Sequence, residues 1–121
     1  MEHESTTTIP VAPDRLYSAL ADVGNLTRLI PPLKSVRRTD PDHVEVDAEY
    51  EGHEEHGQAW FRTDREARRV EWGSEEHPYH GWMQVEPDGA GSKLTLHLTT
   101  AHAGDIKQYV ASTFESIRGQ F

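Results

Sequence analysis

The 121-residue sequence contains no cysteine. That excludes a disulfide framework, a thiolate metal site and a cysteine nucleophile. Basic residues are scarce: 12 Lys and Arg stand against 21 Asp and Glu, for a formal net charge of −9 at pH 7. This argues against nucleic acid or an anionic membrane surface as the main partner, because phosphate binding needs a positive footprint. Long apolar runs are missing too, and nothing approaches the roughly 18 residues of a membrane span. The opening Met1-Glu2-His3-Glu4-Ser5 is acidic and lacks a signal peptide's apolar core. The expectation is a cytoplasmic protein with no membrane span. Repeats, linkers and low-complexity tracts are also absent, so residues 1–121 read as a single domain of ordinary size.

What is present is a succession of short periodic segments. Residues 3–11 are rich in β-branched types and predict a strand whose end is marked by Pro10. Pro13 suits the first turn of a helix, continued by Leu16, Ala19, Leu20 and Val23 and ended by Gly24. Asn25 caps a short second helix over 26–30, which Pro31-Pro32 stops. Six strands then follow, over 33–39, 43–50, 57–63, 68–73, 79–86 and 93–99. The turns between them include 52–56, 64–67, 74–78 and the strong signal Pro87-Asp88-Gly89-Ala90-Gly91. Asp105 and Gln108 make a capping-box-like pair ahead of a last helix of about 17 residues. Its stripe is Ile106, Tyr109, Val110, Thr113, Phe114, Ile117 and Phe121.

Alternation assigns the faces. Pairing Phe61 with Val70, Ala59 with Trp72, Val85 with Leu94 and Met83 with Leu96 keeps apolar residues together. The inner face is then Val44, Val46, Ala48, Tyr50, Ala59, Phe61, Val70, Trp72, Gly81, Met83, Val85, Leu94, Leu96 and Leu98, with no carboxylate, Lys or Arg. Tyr50, Tyr79 and the Trp72 indole supply its polar handles. Such a face, opposite Tyr109, Thr113, Phe114 and Ile117, suits a small-molecule cavity. The same residues equally describe a solid core.

The eight histidines include two His-x-x-His pairs, His53-Glu54-Glu55-His56 and His77-Pro78-Tyr79-His80. In a meander alternate turns lie at one end, which places His53, His56, His77, His80 and His102 together there. With Glu54 or Glu55, the imidazoles of His53, His56, His77 and His80 are candidate zinc or nickel ligands. Solvated turn histidines, or a pH-sensitive entrance, are the alternatives. No nucleophile elbow or P-loop occurs, and no Ser/His/Asp set follows from spacing. Tyr50, Tyr79, His80 and His102 are the candidate acids or bases. On the outer face the expected pairing puts Trp60, Glu71, Trp82 and His97 in one row, with the two tryptophans marking a homodimer interface.

Two stretches carry a family resemblance: Thr8-Ile9-Pro10-Val11-Ala12-Pro13-Asp14-Arg15-Leu16-Tyr17-Ser18-Ala19-Leu20-Ala21-Asp22, and Val85-Glu86-Pro87-Asp88-Gly89-Ala90-Gly91-Ser92-Lys93-Leu94. Together with the element order they resemble the START-like, birch-pollen-allergen-like superfamily (SRPBCC), in its polyketide cyclase/dehydrase-like branch. The resemblance implies an α+β helix-grip fold: a curved antiparallel sheet of six to seven strands around a long C-terminal helix, with two short helices after the first strand. It implies a hydrophobic ligand between sheet and helix, of lipid, quinone or polyketide type, and no cofactor. A polyketide cyclase or aromatase and a co-chaperone-like interaction module are the alternatives it leaves open. The chain is short for that superfamily.

Overall fold

The computed structural model describes residues 2–50, 52–75, 79–100 and 106–121, and for Tyr50, His53 and Ile106 the backbone alone. Strand β1 (Glu2–Ile9) leads through Pro10 into α1 (Pro13–Ala21). A single 3-10 turn (Val23–Asn25) and the short α2 (Leu26–Leu29) follow. Strands β2 (Leu33–Asp40), β3 (His43–Tyr50), β4 (His53–Asp64), β5 (Arg69–Ser74), β6 (His80–Asp88) and β7 (Gly91–Thr99) form the meander, and α3 (Ile106–Gly119) closes the chain. All seven strands make one antiparallel sheet in the order β1-β7-β6-β5-β4-β3-β2, so β1 and β2 are its two edges. The inner face of the sheet holds the core against α1, α2 and α3.

Local chemistry explains the joints. Pro13 opens α1, whose Leu16, Tyr17 and Leu20 are buried. The expected cap at Asn25 is not made by its side chain. Asp22 caps instead: its carboxylate accepts from Gly24 N at 2.9 Å, and its carbonyl from Asn25 N at 2.9 Å. One turn of 3-10 helix therefore precedes α2. Ser92, fully buried, donates its hydroxyl to the Val11 carbonyl at 2.6 Å and ties β7 to the start of α1. The last turn of α3 is anchored by Arg118, which donates to the Thr7 hydroxyl at 2.6 Å. Helix α3 ends at Gly119, short of Phe121, which is the exposed large hydrophobic residue among those described. Asp105, the expected cap, lies outside the described residues.

Two expectations shift. The β4–β5 turn falls at 65–68, one residue later than expected, with Arg68 in the left-handed region at φ 52°. A one-residue displacement of a turn moves the register by two, so Phe61 pairs with Trp72 and Thr63 with Val70. Inner and outer faces survive that shift; the rows do not. The β3–β4 turn is tighter than expected, and β4 begins at His53. The His53–His56 motif therefore lies in a strand. The β6–β7 register matches the expectation, with Val85 opposite Leu94 and Met83 opposite Leu96.

Candidate functional site

A cavity of about 220 Å³ lies between the inner face of the sheet, the α1–α2 corner and the first half of α3. Its floor is a run of cross-strand pairs on β3 and β4: Val44 with Ala59, Val46 with Gly57, and Ala48 with Glu55. These pairs are small. A Cβ added at Gly57 would find no atom within 4 Å. The side walls are Phe61, Val70, Trp72, Met83, Leu96 and Leu98. Tyr79 closes one flank, accepting a hydrogen bond from the Trp72 indole at 3.3 Å. Tyr109 and Thr113, one turn apart on α3, form the roof.

Ten residues of the expected inner face thus border the cavity, together with Tyr79, Tyr109 and Thr113. Phe114 and Ile117 do not; they are buried in the core beyond it. The Tyr50 side chain lies outside the described residues. Sequence reasoning missed a wall: Leu20, Leu26 and Ile30 from the α1–α2 corner, with Leu33 and Val36 from β2. Leu26 and Ile30, four apart between Gly24 and Pro31, were the available signal. It also missed the place of Glu55 in the cavity wall. The extra strand length of β4 places this carboxylate opposite Ala48, on the inner face at the exposed rim.

Of the expected mouth histidines whose side chains are described, His56 is among the residues that line the cavity and His80 is not. His56 pairs with Asp47 on the outer face, where its ring bonds the Asp47 carboxylate and lies 3.6 Å from Glu45. This bond raises the His56 pKa and lowers that of Asp47. His80 is exposed on the outer face opposite Gly73. The side chains of His53, His77 and His102 lie outside the described residues. Among the described residues, no group of three or more His, Asp or Glu could hold a metal ion. Of the expected zinc or nickel set His53, His56, His77 and His80, the two members whose side chains are described, His56 and His80, both lie on the outer face.

The outer-face row also changes. Arg62, Glu71, Trp82, His97 and Glu4 stand side by side, while Trp60 lies one step along, over Gly73. Neither tryptophan is open. Arg69 lies 4.1 Å from the Trp82 ring centroid on one side, and His97 stacks at 5.3 Å. Arg62 lies 5.1 Å from the Trp60 ring centroid.

A curved sheet gripping one helix, with an apolar hollow between them, defines the helix-grip class. Residues 2–117 match the model of the family described as polyketide cyclase / dehydrase and lipid transport, and the chain belongs to that family. Solved structures agree in fold. The Zhui aromatase/cyclase from Streptomyces sp. R1128 superposes with a TM-score of 0.78 at 17% identity, over 99% of this chain and 92% of that one. A START superfamily protein from Mycobacterium smegmatis gives 0.76 at 16%, over 98% and 95%. The di-domain aromatase/cyclase BexL, from the BE-7585A biosynthetic pathway, gives 0.75 at 23%. There the match covers 98% of this chain but 44% of the longer protein. A sequence search of the curated proteins finds no match.

Proposed function

We propose that this chain binds and carries a small hydrophobic ligand in the cavity between the sheet and α3. The observation that carries this reading is a hollow of about 220 Å³ walled mainly by apolar side chains. Well-packed interiors leave few voids larger than a water molecule. Ligand pockets usually measure roughly 300–1,000 Å³, so the ligand is compact. Among the described residues no helix is long and apolar enough to cross a membrane. With the acidic, cysteine-free composition, this supports a cytoplasmic carrier.

The test is direct. A planar hydrophobic probe should raise the melting temperature of the wild type by binding the native state. Ala48→Trp, which projects an indole into the hollow, should abolish that effect while leaving the fold intact. No probe binding to the wild type, with a destabilised Ala48→Trp, means a solid interior and overturns the carrier.

A second reading is a polyketide-cyclase-like enzyme, and Glu55 favours it. It is the carboxylate lining the cavity among the described residues, placed to exchange a proton with a ligand held in a folded shape. Turnover of a reactive polyketide that Glu55→Gln abolishes without loss of probe binding would establish it. A homodimer through Trp60 and Trp82 would have to displace the arginines that cover both rings. If the wild type sediments as a monomer at high concentration, the homodimer interface is excluded.

A further inference from the structure

Two described side-chain oxygens are buried without a hydrogen-bond partner among the described residues, Thr99 Oγ1 and Thr113 Oγ1. Thr99 is on the outer parity of β7, opposite His80 and Glu2. Thr113 is different. It is 1% exposed, in the middle of α3, and it borders the cavity. A threonine inside a helix ordinarily returns its hydroxyl to the carbonyl one turn back. Thr113 makes no such bond. The group is costly where it stands, because a buried hydroxyl without a partner loses its hydration and gains nothing. The other polar groups bordering the interior are engaged or at the rim: the Trp72 indole donates to Tyr79, and Glu55 and Gln58 are exposed.

We infer that the Thr113 hydroxyl is the interior hydrogen-bonding contact for the ligand, and that the ligand is a compact uncharged ring compound with a hydroxyl or carbonyl oxygen. This rests on the carrier reading above and specifies its chemistry. The size follows from the hollow. An apolar cavity of roughly 150 Å³ accepts benzene, so about 220 Å³ suits one or two rings. The absence of charge follows from the walls: a carboxylate or ammonium drawn into this apolar interior would leave the titratable lining residues, Glu55 and His56, behind at the exposed rim. The single oxygen follows from Thr113, whose hydroxyl can donate to a carbonyl or accept from a phenol.

The test uses two probes of nearly equal shape, 2-naphthol and 2-methylnaphthalene, titrated against the wild type, Thr113→Val and Thr113→Ser. Valine keeps the volume and removes the hydroxyl; serine keeps the hydroxyl. The wild type should favour the naphthol over the methyl compound by about five- to tenfold more than Thr113→Val does, the value of one net hydrogen bond. Thr113→Ser should retain that preference. Comparing ratios between proteins cancels the different hydration of the two probes. Unliganded Thr113→Val should melt no lower than the wild type, since no bond is lost. An unchanged ratio in Thr113→Val, with both probes still bound, overturns the role of Thr113 and leaves the cavity standing. A marked fall in melting temperature for unliganded Thr113→Val also overturns it, by showing the hydroxyl bonded within the protein. Failure of both probes to bind the wild type overturns the cavity reading and this assignment with it.

Discussion

The two ends of the sheet-and-helix interior are built differently. At one end Ile9, Leu16, Leu94 and Ile117 are at most 1% exposed, and the contact surfaces are closed by large side chains. Hydrogen bonds seal that end, from Ser92 to Val11 and from Arg118 to Thr7. At the other end the same sheet presents Val46, Gly57 and Ala59, only half-buried, beneath Tyr109 and Thr113. The backbone scaffold is common to both ends; side-chain volume makes one a core and the other a hollow. Close packing is therefore concentrated at the end away from the hollow.

The largest effect should come from cutting into the packed end. Leu94→Ala should lower stability by about 2–5 kcal/mol, by removing buried methyl groups and leaving a cavity that cannot collapse. Val46→Ala at the open end should cost well under half as much. Equal losses by chemical denaturation would erase the distinction between the ends.

A second pair of substitutions adds volume. A Cβ on Gly81 would lie 2.8 Å from the His97 carbonyl oxygen and 2.8 Å from Trp72 and Leu98 atoms. Gly81→Ala should cost about 1–3 kcal/mol as an overpacked site. Gly57→Ala enters open space and should stay within about 0.5 kcal/mol of the wild type. Thermal melts of the two variants read this directly. A costly Gly57→Ala would mean the hollow is already filled.

The smallest effect concerns the wet face behind the hollow. The His56 pKa is raised chiefly by its hydrogen bond to Asp47, with the Asp47 charge and Glu45 adding to it. Raised in the folded state, it stabilises fully below about pH 6.5, the ordinary histidine value, and that share disappears as pH rises through the raised value. The Asp47 pKa is lowered, so its share is present above the ordinary carboxylate range and disappears as pH falls through the lowered value. His56→Gln should therefore melt slightly below the wild type from about pH 5 to 6.5 and match it at pH 9. Both groups are exposed, so the difference is modest. A gap that persists at pH 9 would assign it to packing instead of charge.

Much of this was legible in the residues. The element order follows from prolines, glycines and two periodicities, and alternation alone separates inner from outer residues at Val44, Val46 and Ala48 or Leu94, Leu96 and Leu98. The Gly89 turn, at φ 58°, carries its own chemistry and fixes the β6–β7 register. The β4–β5 turn carries none. Its left-handed residue is Arg68, a type that rarely adopts that conformation, so the turn centre and the Trp60 row were misplaced. The polar run His53-Glu54-Glu55-His56 suggests a turn; in the fold its backbone extends β4, which turns Glu55 inward and His56 outward. The α1–α2 wall is a matter of tertiary packing: the Leu26–Ile30 spacing marks an apolar face, and the fold alone brings it to the cavity.

The floor of the hollow also has a consequence over evolutionary time. Ala59 and Gly57 sit in regular strand pairs, and the space above Gly57 is empty. A descendant chain that exchanges glycine there for alanine, valine or leucine would reshape the hollow one methyl group at a time. The hydrogen-bonded ladder beneath would register none of it, and the packed end would keep the molecule folded throughout. Ligand choice in such a lineage can drift by single codons, each step viable, without the architecture having to change.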